Sequence, residues 1–137
     1  MNEMRKYIDL VESSNDIIQD ELPKYEAKRL AAVRLDGWRI EYINNPSEEV
    51  QLAAVRQSGS VIHLILAKGI VPSIAVQQAA VLQNPVSALG TMIYHHLPVS
   101  KMIQWTAAKE IKKRNLKIEE IILSKLDPDV QEYLKSK

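Results

Sequence analysis

The run KEIKKRNLK, Lys109 to Lys117, packs five cations into nine residues. On a helix Lys109, Lys112 and Lys113 share one side, and Arg114 lies adjacent. Together with Lys117 they suit phosphate contacts, which would make nucleic-acid binding steeply salt-dependent. The competing reading is a solvated helix end whose cations face the negative pole of the helix dipole. No aromatic residues interleave the run, so the second reading is preferred. A different set, Arg34, Trp38, Arg39, Tyr42 and Arg56, has the residue types that anchor protein interfaces. Here the alternative, and the preferred one for Trp38, is that its ring fills a gap between neighbouring helix pairs.

Metal and catalytic chemistry find little footing. The chain has three histidines. His95 and His96 are adjacent, so on a helix they point about 100° apart and make poor joint ligands. His63 sits among aliphatics and reads as a half-buried helix residue. No His or carboxylate spacing matches a metal site, and no cofactor is expected. There is no phosphate-cradling glycine loop, no nucleophile elbow and no paired carboxylates in an apolar setting. Asp36 before Gly37 reads as turn chemistry. The expectation is a protein that is not an enzyme.

The elements that must position these residues are announced by recurring words. "SEEVQLAAV" starts at Ser47, "SIAVQQAAV" at Ser73 and "SKMIQWTAA" at Ser100. The Val/Ile–Gln step falls at Gln51, Gln77, Gln104 and Gln131, with spacings of 26, 27 and 27. "AAVRLDGWRIEYI" from Ala31 matches "AAVRQSGSVIHLI" from Ala53, which makes Arg34 and Arg56 equivalent. Self-similarity at such a period is the mark of a repeat protein, and a degenerate last copy, "PDVQEYL", is usual. About 26 residues hold two short helices and two turns.

Within a unit, Asn45 is expected to cap, Pro46 to take the first helical position and Glu48 the third. Gly59 and Gly69 are expected helix stops. Pro72, Pro85 and Pro98 are expected to open further helices, the last of them the longest. One pair of short helices cannot bury its apolar face alone, whereas stacked pairs bury each other's. The recurring Gln51, Gln77 and Gln104 are expected to join helix ends to loops or one unit to the next, because buried amides need partners.

Composition bounds the rest. A chain of 137 residues suits a single core. The net charge of +1 rules out whole-molecule attraction to nucleic acid, but residues 1–26 hold seven acids against three bases, and residues 101–117 six bases against one acid. The absence of cysteine excludes disulfides and thiol chemistry. No apolar run approaches the ~18 residues of a membrane span. "MNEMRKYIDLVES" has no apolar export signal core, and it places Met4, Tyr7, Ile8 and Val11 on one helical face.

The words "NPSEEVQLAAVRQ" and "GWRIEYI" resemble short tandem helical repeats of unknown function found in tailed-phage and some bacterial proteins. The resemblance covers roughly residues 23–110 and departs at Trp105-Thr106 and at the insertion before Pro72. It implies an all-helical, solenoid-like fold and a phage origin, and it carries no catalytic residues.

The resulting expectation is an all-α protein of short stacked helix-pair repeats, HEAT-like or solenoid-like. Residues 1–20 form an acidic N-terminal helix with a linker, and 21–137 the repeat domain. Its function would be to bind a protein partner, as a phage-encoded accessory or an inhibitor of a host protein. The alternatives are nucleic-acid binding through 109–117 and a self-assembling structural subunit of a virion. The expected location is the cytoplasm, of a bacterial host if phage-encoded, or the virion.

Overall fold

The computed structural model describes residues 22–136, which are all-helical, with no strand among them. The helix and linker expected over 1–20 lie outside the described residues. In chain order the elements are α1 (Leu22–Leu35), a 3₁₀ segment Gly37–Tyr42, α2 (Glu48–Gln57), a 3₁₀ turn Gly59–Val61 leading into α3 (Ile62–Ala67), α4 (Ile74–Gln83), α5 (Pro85–Tyr94), α6 (Lys101–Lys113), α7 (Glu120–Leu123) and α8 (Pro128–Lys135). Among these, α1 is the longest with 14 residues, one more than α6. None of the described helices is long and apolar enough to cross a membrane.

The helices form two layers. In one, α1 packs on α2, α2 on α4, α4 on α6 and α6 on α8. In the other, the 3₁₀ segment packs on α3, α3 on α5 and α5 on α7. Between the layers lies an aliphatic core that includes Val33, Ile40, Ile43, Val55, Ile62, Ile65, Leu89, Met92 and Ile103, all with no exposed surface. Each such side chain stabilises the fold by about 1.5–3 kcal/mol relative to its exposed state. Small residues sit where helices touch: Ala54, Ala80 and Ala107 are wholly buried at corresponding places in α2, α4 and α6.

Helix starts follow one local design, displaced from the sequence expectation. Ser47, not Asn45, caps α2: its Oγ accepts from the Val50 amide at 3.2 Å. Ser73 and Ser100 do the same for Val76 and Ile103, at 3.2 and 3.3 Å. A serine oxygen satisfies an orphan amide at the helix start. The residue before each serine, Pro46, Pro72 or Val99, therefore lies outside the helix, and its carbonyl has no helical partner. A glutamine answers that need. Gln51 Nε2 donates to Pro46 O, Gln77 Nε2 to Pro72 O and Gln104 Nε2 to Val99 O, each at 3.0 Å. Gln131 Nε2 does likewise to Leu126 O at 2.7 Å. Of Pro46, Pro72, Pro85 and Pro98, Pro85 alone takes the first helical position as expected, behind an Asn84 cap, and Pro128 likewise opens α8 behind Asp127.

A second set of amides ties neighbouring helices. Gln57 Oε1 accepts from the Gly37 amide at 2.9 Å, and Gln83 Oε1 from the Gly59 amide at 2.5 Å. These bonds join the end of one helix to the end of its neighbour. At the opposite end Ser47 Oγ donates to Glu26 of α1. So α1 and α2 run in the same direction. Gly59 follows the Ser58 cap that ends α2, so the helix stops there as expected, and Gly59 also begins a 3₁₀ turn. It is a glycine because the Ala80 carbonyl leaves no room: an added Cβ would lie 2.5 Å from that oxygen.

Gly69 ends α3 as expected, with a left-handed φ of 79°. The corresponding residue after α5 is His96, with φ 58°. A left-handed backbone strains any residue with a Cβ. His96 is exposed, so it offers little contact in return. His96→Gly is expected to stabilise the protein by about 1 kcal/mol, measured by urea unfolding.

Candidate functional site

The layer of α1, α2, α4 and α6 presents adjoining grooves. One, of about 470 Å³, is lined by Leu30 and Arg34 from α1 and by Glu49, Leu52, Ala53 and Arg56 from α2. The next, of about 480 Å³, lies between α2 and α4 and has Arg56, Ala75, Gln78, Ala79 and Leu82 on its walls. Arg56 stands on the ridge between them. Alanines keep the floors low, since helices with short side chains leave depressions beside larger neighbours. Leu82 is 43% exposed, and Met102 at the start of α6 is 55% exposed, so apolar surface continues along this face.

Arg34 and Arg56 are both exposed, and neither guanidinium is engaged by another described residue. They lie in the last turns of α1 and α2. Because these helices run the same way, both cations sit at one end of their shared groove. Glu49, in the first turn of α2, marks the other end.

The expected patch therefore divides. Arg34 and Arg56 come together, whereas Trp38, Arg39 and Tyr42 belong to the 3₁₀ segment and line neither groove. Trp38 is 45% exposed and does not fill a gap between helix pairs, which corrects that expectation. The turn that carries it is fixed locally: the Trp38 amide donates to Asp36 Oδ1 at 3.0 Å. Arg39 is half-buried, and its Nε has no partner among the described residues.

The basic run also divides. Lys112 Nζ donates to Tyr133 O at 2.8 Å and lies 4.2 Å from the centre of the Tyr133 ring, which itself meets Trp105 edge-on at 5.2 Å. Arg114 donates to Gln83 O at 3.1 Å, to Leu82 O, and to Glu110 at 2.9 Å. Its guanidinium thus covers the carbonyl end of α4. Lys109, Lys113 and Lys117 remain exposed. Arg114→Ala is expected to cost about 1–2 kcal/mol, because it strips charged hydrogen bonds from helix-end carbonyls. Lys113→Ala is expected to stay within about 0.5 kcal/mol in the same urea titration.

His63 is exposed on α3, with its ring 6.0 Å from that of His95. Among the described residues no three histidine or acidic side chains converge to hold a metal.

The apolar floors escaped the sequence reading. Their signal was the equivalence of Leu30 with Leu52 and of Ala53 with Ala79, one turn before Arg34, Arg56 and Leu82. Comparison with protein-family models, curated proteins and solved structures finds no match to this chain.

Proposed function

We propose that the chain is a stack of short helix-pair repeats that acts, without catalysis, as a protein-binding module. Its binding surface is the grooved face of α1, α2 and α4. The observation that carries this reading is the pair of adjoining grooves with apolar floors and an unengaged arginine between them. Partly apolar depressions rimmed by arginine are what interface anchors fill. The recurring sequence words and the recurring Gln–carbonyl bonds support the repeat description. The phage resemblance supports an accessory or inhibitor role toward a host protein, in the host cytoplasm or the virion.

A second reading, nucleic-acid binding, has the exposed Lys109, Lys113 and Lys117 in its favour. It draws less support because Lys112 and Arg114 are committed to packing. Affinity capture of nuclease-treated extract with the tagged chain separates the two. Protein binding predicts a stoichiometric partner that survives replacement of Lys109, Lys113 and Lys117 by Ser and is lost with Ala79→Glu. Loss on the lysine replacement alone, or on nuclease treatment, would overturn it.

A further inference from the structure

We propose that the groove between α1 and α2 receives an amphipathic helix of a partner protein, apolar along its middle and carboxylate-rich at the end that meets Arg34 and Arg56. This rests on the protein-binding reading and specifies its ligand. The groove is polarised. Ser47 bonded to Glu26 at one end, and Gln57 bonded to Gly37 at the other, fix α1 and α2 side by side in one direction. Arg34 and Arg56 consequently share the far end, while Glu49 lies two turns back along α2. From Glu49 to Arg56 the rise is about 10 Å. Between them the floor is Leu30, Leu52 and Ala53.

Length and charge together choose the ligand. Ten residues of α2 span about 15 Å, which matches two to three turns of a bound helix contacting through positions i, i+3, i+4 and i+7. Small Ala53, in a floor shared with Leu30 and Leu52, leaves room for inserted apolar side chains. The two arginines also complement the dipoles of their own helices. That role is served on any side of a helix end and does not need both side chains in one groove. Several other cations already have tasks: Arg114 and Lys112 bind carbonyls, and Lys68 Nζ donates to Glu41 O at 3.0 Å, while the exposed Lys109, Lys113 and Lys117 line neither groove. Arg34 and Arg56 have no such partner among the described residues, and two free guanidinia lining one groove call for carboxylates.

The test uses two synthetic helices with one leucine face in common, one ending in a cluster of Glu, the other in a cluster of Lys. Each is titrated by fluorescence anisotropy against the full chain and against the doubly reversed variant Arg34→Glu, Arg56→Glu. Circular dichroism checks that the variant is folded. The Glu-ended helix should bind the full chain at least about tenfold tighter than the Lys-ended one, and the variant should invert that order. Binding of neither helix, equal binding of both, or a preference that survives the reversal overturns the proposal. So does binding seen only as a second copy of the chain, read as a concentration-dependent size. If the captured partner is lost with Ala79→Glu but keeps its affinity on the double reversal, protein binding stands and this ligand assignment fails.

Discussion

Gly59→Ala is expected to destabilise the protein by about 3 kcal/mol, lowering the melting temperature by about 10 °C. The new Cβ would lie 2.5 Å from the Ala80 carbonyl oxygen and 3.0 Å from the Asn84 amide nitrogen, both backbone atoms that no rotamer change can move. The α2–α4 contact must open to admit it, and the Gly59 amide would be drawn from Gln83 Oε1. Two other glycines calibrate the result. At Gly69 nothing lies within 4 Å of an added Cβ, and only the left-handed backbone opposes it, so alanine there should cost about 1 kcal/mol. At Gly90 the obstacle is the tip of the flexible Ile122 side chain, 2.9 Å away, which can turn aside. Thermal melts of the three variants should rank Gly59 well below the others. Equal losses would refute the close-approach explanation.

The second large effect is expected at Gln104. Its side chain is 5% exposed, donates to Val99 O and accepts from the Asp127 amide at 2.8 Å. It thereby links the start of α6 to the start of α8. Gln104→Leu keeps the volume and removes both bonds, leaving a carbonyl and an amide without partners. The expected cost is about 2–3 kcal/mol. Gln51→Leu removes only the bond to Pro46 O and should cost about 1–2 kcal/mol. Gln77→Leu should cost least. It loses the bond to Pro72 O, but it also removes a buried Oε1 that has no partner among the described residues, so the two changes offset. Urea unfolding should therefore order the losses Gln104, Gln51, Gln77. The same loss at all three positions would mean that only the local carbonyl bond matters.

The all-helical architecture was legible because Val50, Ala53 and Ala54 follow helical spacing and the words around them recur. The duty of Gln51, Gln77 and Gln104, tying helix starts to the preceding loops, followed from the need of buried amides for partners. The helix starts differ from the sequence expectation because proline is a strong signal in a sequence, while a serine oxygen settles the cap in space. The stop at Gly59 is legible, but its second duty is not, because a glycine that makes room for a neighbouring backbone looks the same as one that only ends a helix. Of the candidate patch, the pairing of Arg34 with Arg56 was visible through their equivalence. The separation of Trp38, Arg39 and Tyr42 from them depends on how the 3₁₀ segment turns away from α1, which residue type does not encode. The grooves themselves arise only when helix faces align, so no single stretch of sequence contains them.

The central claim is that a protein partner touches the grooved face, and site-specific photo-crosslinking in cells tests it most directly. A photoreactive residue replaces Ala79 in one variant and, as the comparison, Lys125, which is exposed after α7. The account predicts a crosslink to one other protein from position 79 and none from position 125. Crosslinks of equal yield from both positions, or from position 79 only to further copies of this chain or to nucleic acid, would contradict it.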